Sequence, residues 1–263
     1  MAAMRKGYAD TPMGQVHYQT GGSGTPLLLL HMTPQSSHQF DHAFEPLIAA
    51  GIRPIAPDIP GYGASDTPGE PPSIEEYAAV LPAVLDHLAV DRVAVAGHHT
   101  GASIGCELAN AFPDRVSRVV LHGVPWYTEE EREQRLANLH VDATLKEDGS
   151  HLTDRWNWIW GRVGGRASME ACQMGTVEAF VNGEEEWYCH QAGFRYDMGA
   201  ALKALRQPTL VITNTGDPLH YVVAGLRELR PDFEYRELEG GTVFMIWDEG
   251  QRWVSAIADF VKG

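Results

Sequence analysis

The clearest chemical signal in the sequence is a histidine at a sharp turn, His99. It lies in the stretch VAVAGHHTGA (93–102), where an apolar run typical of a strand ends in Gly-x-His-x-Gly and a helical pattern begins. Glycines in such a turn leave room for the helix to pack closely on the strand. An imidazole held there is a candidate general base, because the ordinary pKa of histidine lies close to neutrality.

The other chemical signals argue against a metal or a nucleotide. No metal-ligand spacing relates His140, His151, His190 and His220, and the sequence contains neither GxGxxG nor GxxxxGK[ST]. We therefore expect no metal and no cofactor.

The cysteines are odd in number and form no CxxC motif, which favours free thiols in a reducing, cytoplasmic compartment. They are Cys106, Cys172 and Cys189.

Short apolar runs predict the elements that position His99. Five runs have the length of a strand: 26–30, 53–57, 92–96, 118–122 and 209–213. Their nearly continuous apolarity predicts strands that are buried on both faces. Helical patterns lie around them: 38–50, 73–89, 101–112, 219–229 and 247–262. This alternation predicts an α/β fold with a mainly parallel sheet flanked by helices.

Residues 126–200 interrupt the alternation. This stretch holds five of the seven tryptophans: Trp126, Trp156, Trp158, Trp160 and Trp187. We interpret it as a helical cap inserted into a core that consists of residues 1–125 and 201–263. The aromatic side chains either attach this cap to the core or line a pocket between the two, where ligand sites tend to occur.

Several stretches occur in the order typical of one superfamily. The stretch around His99 resembles the nucleophile elbow G-x-S-x-G, which joins a strand to a helix. The others are LLLLHMTPQSS (27–37), PDIPGYGASDTP (57–68), PTLVITNTGDP (208–218) and ELEGGTVFMIWDEG (237–250). Residues 27–37 resemble the oxyanion turn, and residues 57–68 resemble a D-x-P-G-x-G-x-S-D motif. Residues 208–218 resemble the strand and turn that carry the acid, and residues 237–250 resemble the last strand with its histidine turn. The core thus resembles the α/β-hydrolase superfamily, which implies an α/β-hydrolase fold with a cap.

The resemblance also shows where this chain departs from the family pattern. His99 stands where the family has Ser, Asp or Cys, and Thr242 stands where it has the histidine base. Asp217 matches the acid, and Met32 replaces a common glycine of the oxyanion turn. Acyl transfer by a Ser-His-Asp triad is not supported by these residues.

The two replacements are expected to compensate for each other. A threonine at 242 vacates the space of the usual imidazole, and the His99 ring could fill it and bond to Asp217; the distance from His99 Nδ1 to the carboxylate tests this. The dyad would make His99 the base and Asp217 its orienting partner, with Thr242 orienting water or substrate. The backbone N–H groups of Met32 and Thr100 are expected to form an oxyanion hole.

Four residues are expected to line the substrate pocket. They are His31, His122, Trp126 and Trp158. His31 begins the oxyanion turn, and His122 ends a strand at the edge where ligands approach an α/β sheet. The two tryptophans belong to the predicted cap.

Composition limits the partners. Among 263 residues, 35 are acidic and 20 basic, a net charge of −15, which argues against nucleic acids and anionic membranes. The strongest apolar run, 26–30, is far shorter than the roughly 18 residues that span a bilayer. We expect a cytoplasmic protein with a small-molecule substrate, and the sequence leaves its oligomeric state open.

Three functions fit these residues. The first is a cofactor-free hydrolase in which the dyad activates water on a small apolar carbonyl compound or ester. The second is a lyase, decarboxylase, cyclase or isomerase that uses the same base and oxyanion hole. The third is an inactive binding protein. A carboxylate at Asp217 beside a histidine favours catalysis, because burying an unused charge is unfavourable.

Overall fold

Eight strands form a single sheet in the computed structural model, which describes residues 4–139 and 145–263. The strands are β1 (Arg5–Thr11), β2 (Gly14–Thr20), β3 (Thr25–Leu30), β4 (Ile52–Pro57), β5 (Val93–His98), β6 (Val116–His122), β7 (Thr209–Asn214) and β8 (Glu234–Leu238). Their order is β1-β2-β4-β3-β5-β6-β7-β8. Only β2 pairs antiparallel, with β1 and β4, so the predicted mainly parallel sheet is confirmed.

The apolar runs coincide with β3 to β7, and β3 shows why. Its four leucines are completely buried. Leu28 and Leu30 pack into the core on one face of the sheet, and Leu27 and Leu29 pack into the core on the other. Since successive side chains of a strand point to opposite faces, an unbroken leucine run is buried only where helices cover both faces.

Helices cover both faces of the sheet. They are α1 (Asp41–Ala49), α2 (Ile74–His87), α3 (Thr100–Ala111), α4 (Glu129–Ala137), α5 (Ser150–Val163), α6 (Met169–Val181), α7 (Tyr188–Arg195), α8 (Met198–Ala204), α9 (Val223–Leu229), α10 (Met245–Asp248) and α11 (Gly250–Lys262). Residues of α2 and α3 pack on one face, and residues of α1 and α11 on the other. Within the described ranges, no helix is both long enough and apolar enough to cross a bilayer.

In the described part of the stretch between β6 and β7 there are five helices, α4 to α8. They fall mostly within the stretch 126–200, of which residues 140–144 lie outside the described part of the chain. Helix α8 spans the predicted boundary at residue 200, and its buried Met198 and Leu202 pack into the core beside α3. The parallel strands β3, β5, β6 and β7 end at one edge of the sheet, where their turns assemble the site.

Candidate active site

His99 occupies the sharp turn between β5 and α3. Its backbone has φ 48° and ψ −116°, a conformation that costs residues other than glycine on the order of 1–3 kcal/mol. A Cβ at Gly97 would lie 2.1 Å from the carbonyl oxygen of Gly101, and one at Gly101 would lie 2.1 Å from that of Leu30. Backbone packing therefore requires both glycines of the motif and holds His99 at the end of the sheet.

The ring of His99 and the carboxylate of Asp217 form a hydrogen-bonded pair. Nε2 of His99 lies 2.8 Å from Oδ2 of Asp217, and Oδ1 accepts a 2.7 Å bond from the N–H of Leu219. The Asp217 side chain is completely buried, whereas 16% of the His99 side chain is exposed. Burial raises the pKa of Asp217, but His99, His122 and the Leu219 N–H together hold it below its ordinary value. Asp217 is therefore an ionised acceptor for the imidazole.

The nitrogen that meets Asp217 is Nε2, so the expectation of an Nδ1 contact was wrong. A triad histidine presents Nδ1 to its acid. His99 instead extends from β5, and β5 and β8 lie on opposite sides of β7, which carries the acid. The ring approaches from the other side, and its far nitrogen reaches the carboxylate. Nδ1 makes no hydrogen bond with any described residue and is not a buried atom, so it is open to the site.

Thr242 is buried in the turn after β8 and lines the same cavity as His99. Its Oγ1 accepts a 3.1 Å hydrogen bond from the N–H of Phe244, and its carbonyl accepts bonds from Met245 N and Asn214 Nδ2. Within the described part of the chain it makes no hydrogen bond to His99. Thr242 therefore holds its own turn together, and the proton of its hydroxyl remains available to the cavity.

The oxyanion turn differs from the expectation at Met32. The Met32 N–H donates a 3.0 Å hydrogen bond to Oε1 of Gln39, so this group is occupied and its expected role was wrong. The N–H of Thr33, the next residue, donates to no described group, and Thr33 lines the cavity. Thr100 is the first residue of α3, where an N–H has no partner within the helix. Thr33 and Thr100 thus each offer a free N–H donor at this edge among the described residues.

His31 and His122 do not line the cavity, so this expectation was wrong for both. Nδ1 of His31 donates to the Met32 carbonyl at 3.0 Å, and Nε2 accepts from the Ile59 N–H at 2.9 Å. Nε2 of His122 lies 3.0 Å from Oδ1 of Asn214. Both rings are buried, and burial lowers the pKa of each. They support the site from within the core.

The two predicted tryptophans differ in position. Trp126 packs against helices, because a Cβ at Gly199 or Gly225 would lie 2.9 or 3.0 Å from its ring. It does not line the cavity, and the expectation that it would was wrong. Trp158 does line the cavity and is about half exposed. Trp126 thus packs against helices, whereas Trp158 lines the pocket.

A cavity of about 580 Å³ lies in front of His99. This volume is within the range that suits a small molecule. The turns after β3, β5, β7 and β8 form one wall, and residues of α4 to α7 form the other. The candidate dyad therefore lies between the sheet edge and the inserted helices.

One face of α5 lines this cavity and was not recognised in the sequence. The lining residues of α5 and the turn after it are Arg155, Trp158, Ile159, Arg162, Val163 and Arg166. Their spacing of three, four, seven, eight and eleven residues matches one face of a helix, which is the signal that could have identified them. Two of the guanidinium groups lie over the Trp158 ring, that of Arg155 at 5.2 Å and that of Arg162 at 4.7 Å.

One group among the described residues has the composition of a metal site. His98, His122 and Asp217 bring potential ligand atoms within 4.8 Å of one another, and all three are buried. Asp217 already accepts bonds from His99 and Leu219, however, and the rings of His98 and His122 stack at 4.5 Å. The absence of a resident metal stays a prediction from the sequence.

Comparison with known proteins supports the assignment of the fold. The chain resembles the solved structure of an E-2-(acetamidomethylene)succinate hydrolase with a TM-score of 0.82, at 21% identity over 99% of this chain and all of that one. It also resembles a bromoperoxidase from Bacillus anthracis with a TM-score of 0.81, at 19% identity over 98% of this chain and all of that one. At such identities the likeness shows the fold alone.

Sequence comparison adds relatives of higher identity over shorter stretches. An epoxide hydrolase 3 from Siraitia grosvenorii is 35% identical over 108 residues, 40% of this chain and 34% of that protein. A haloalkane dehalogenase 2 from Mycobacterium tuberculosis is 36% identical over 119 residues, 45% of this chain and 41% of that protein. The matches thus span well under half of each relative. Residues 25–249 match the pattern of the alpha/beta hydrolase fold family, and the chain belongs to this family.

Proposed function

We propose that this protein is a cofactor-free hydrolase in which His99 and Asp217 activate water for attack on a small carbonyl compound or ester. The observation that carries the proposal is the 2.8 Å contact from Nε2 to Oδ2, which leaves Nδ1 facing the cavity. The similarity to an epoxide hydrolase and a haloalkane dehalogenase supports hydrolytic chemistry on a small molecule.

The hydrogen-bonded pair fixes the proton of the resting imidazole. Because an ionised Asp217 only accepts hydrogen bonds, the neutral imidazole carries its proton on Nε2 and its lone pair on Nδ1. Nδ1 takes a proton from water while the water oxygen bonds to the substrate carbonyl carbon, and the π electrons of the carbonyl move to its oxygen. A positioned base of this kind contributes about 10²–10⁴-fold to a rate.

Two backbone donors are available for the negative charge that develops. The N–H groups of Thr33 and Thr100 would bind the tetrahedral oxyanion, since neither has another partner in the described structure. When the intermediate collapses, the bond to the leaving group breaks and the proton on Nδ1 moves to that group. His99 then returns to its neutral form, and Asp217 remains ionised throughout.

The site favours direct attack by water over a covalent intermediate. Position 99 carries an imidazole instead of a hydroxyl, and Oγ1 of Thr242 is held by the N–H of Phe244. Thr242 would orient the water or the substrate with its free proton. No imidazole stands at position 242 to activate a serine in the way a triad does.

The inserted helices would act as a cap formed by residues 126–200 on a core formed by residues 1–125 and 201–263. Contacts to the loop after β3 support this proposal. The Ser36 N–H donates to Oε2 of Glu178 at 3.1 Å, and Nδ2 of Asn182 donates to the carbonyl of Pro34 at 2.6 Å. A cap attached in this way would exclude bulk water from the cavity, which strengthens electrostatic stabilisation.

The test is turnover of a panel of small activated esters and lactones by the wild-type protein, H99A and H220A. His220 is the matched control, because its Nε2 also lies 2.8 Å from a carboxylate, that of Glu237, but at the surface. We expect hydrolysis by the wild type and H220A, and at least about 10² slower turnover by H99A. Turnover in D₂O that places deuterium on carbon would indicate proton abstraction and contradict water activation.

A further inference from the structure

The cavity in front of His99 carries positive charge in a strongly acidic chain. Its lining includes four arginines, Arg135, Arg155, Arg162 and Arg166, and one acidic residue, Glu186. In the whole chain the ratio is reversed, with 35 acidic and 20 basic residues. A cleft lined by charges of one sign raises the local concentration of ligands of the opposite sign.

His190, which lines the cavity together with His99, does not account for this charge. Burial and the nearby Arg155 lower the pKa of His190 to about 4. The ring is therefore neutral at pH 7. Glu186 is paired with Arg155, so these two charges cancel. The positive charge of the cavity comes from the remaining arginines.

None of the three remaining arginines, Arg135, Arg162 and Arg166, forms an ion pair with a carboxylate among the described residues. The Arg135 guanidinium lies 4.1 Å from the centre of the Tyr127 ring. In residues 4–139 and 145–263, no carboxylate forms an ion pair with Arg162 or Arg166. Both side chains are nevertheless held in place, since Arg162 stacks on Trp158 and Nε of Arg166 donates to a backbone carbonyl at 3.1 Å. They present fixed donors to a ligand.

Arg166 also lies beside the turn that carries the acid of the dyad. A Cβ at Gly216 would lie only 2.9 Å from its Nη1, and Gly216 directly precedes Asp217. An anion bound by this guanidinium would therefore sit close to the catalytic pair. The planar guanidinium offers two parallel N–H donors, a geometry that matches a carboxylate.

We infer that the substrate carries a carboxylate group, which Arg162 and Arg166 bind while His99 directs water at a neighbouring carbonyl. The inference rests on the proposed function and names its substrate class. It departs from the largely apolar substrate expected from the sequence, because the structure places the arginine face of α5 against the cavity. Arg162 and Arg166 are thus the residues that determine specificity.

A binding experiment tests this inference without turnover. Glutarate is titrated calorimetrically into the wild type, H99A, the double variant R162Q/R166Q, and R227Q. Arg227 is the control, because it is exposed on α9 and stacks on Tyr235 far from α5 in sequence. We expect binding to the wild type, H99A and R227Q, and about tenfold weaker binding to the double variant. Undiminished binding to the double variant, or no binding to the wild type, would overturn the inference.

A kinetic comparison separates this inference from the proposed function. Mono-4-nitrophenyl glutarate carries a terminal carboxylate, and 4-nitrophenyl butyrate does not. We expect the KM of the glutarate ester to rise about tenfold in R162Q/R166Q while that of the butyrate ester stays unchanged.

Turnover with equal KM effects on both esters would support the hydrolase and contradict the carboxylate group on the substrate. Arginine-dependent glutarate binding without any turnover would retain the carboxylate and reject the hydrolase. Equal binding of inorganic phosphate would reject a carboxylate-specific site.

Discussion

Gly123 leaves the space that the ring of His99 occupies. A Cβ at Gly123 would lie 2.3 Å from Cδ2 and 2.6 Å from Nε2 of His99, and 3.4 Å from Oδ1 of Asp217. Gly123 follows β6, the strand that lies between those carrying His99 and Asp217. An imidazole can therefore cross from β5 to the acid after β7 only because the residue between them has no side chain.

We predict that G123A separates the dyad. The added methyl group would force the imidazole away from Asp217, and we expect turnover to fall at least tenfold, by loss of the oriented base. G183A is a matched control, because Gly183 has the same φ of 59° but a Cβ there would only come within 3.4 Å of Glu185. The backbone penalty should be similar in both variants, about 1–2 kcal/mol in thermal unfolding. Equal activity of the two variants would contradict the proposed role of Gly123.

The dyad predicts a non-additive loss of activity. H99A should lower kcat by about 10²-fold or more, since it removes the base. D217N should also be damaging, because an amide that donates to Nε2 would place the ring proton on Nδ1, the nitrogen that must accept from water. Steady-state kinetics of H99A/D217N should show little loss beyond that of H99A. Multiplication of the two single losses would show that the residues act separately.

We predict that fluorophosphonate probes will label neither the turn at His99 nor Thr242. Such probes need an activated hydroxyl, and neither the imidazole of His99 nor the hydroxyl of Thr242, which is bonded to Phe244 N, provides one. After the protein is exposed to the probe, mass spectrometry should find the peptides that contain His99 and Thr242 unmodified. A serine hydrolase labelled in parallel is the positive control. H99S should likewise gain no esterase activity, because position 242 lacks an imidazole. Stoichiometric labelling of Thr242 would contradict the proposal that the site uses no covalent nucleophile.

The central part of the fold could be predicted because each strand there is buried on both faces. The continuous runs of β3 to β7 are local signals, and the structure contains the strands that they predict. The start of α2 is also encoded locally, since Oγ of Ser73 accepts from Glu76 N and Ser73 N donates to the Glu76 carboxylate. Strand β1 is at the sheet edge and β2 is next to it, and polar residues interrupt the apolar pattern of both. They lack the run that identified the others.

The candidate site was predictable in position more than in its contacts. The order of motifs placed His99 and Asp217 at one sheet edge, since parallel strands end together. Which ring nitrogen meets the acid depends on strand order, and occupation of the Met32 N–H depends on a glutamine seven residues away. Neither contact belongs to a repeating pattern of residue types along the chain, so the sequence does not reveal it. The arginine face of α5 was different, because its helical spacing was present in the sequence.

A carboxyl group at the junction of α6 with the loop after β3 gives the protein a pH-dependent contact. Both carboxylate oxygens of Glu178 accept bonds from Ser36, one from the backbone N–H at 3.1 Å and one from the hydroxyl. Burial raises the pKa of Glu178 to about 7, although the bonds from Ser36 and the nearby His38 oppose the increase. The folded protein therefore binds a proton here at pH values where the unfolded chain has released it.

This protonation predicts that the contribution of Glu178 to stability decreases as the pH rises. Between the ordinary glutamate pKa of about 4.5 and the folded value of about 7, the folded state binds more protons than the unfolded state. The free energy of unfolding must then fall with increasing pH in this interval. E178Q removes the titration, so the difference in Tm between wild type and E178Q should favour the wild type most at pH 5 and shrink towards pH 8. E170Q, at an exposed position of the same helix, should leave the slope unchanged. A difference between wild type and E178Q that stays constant from pH 5 to 8 would show that Glu178 does not titrate in this range.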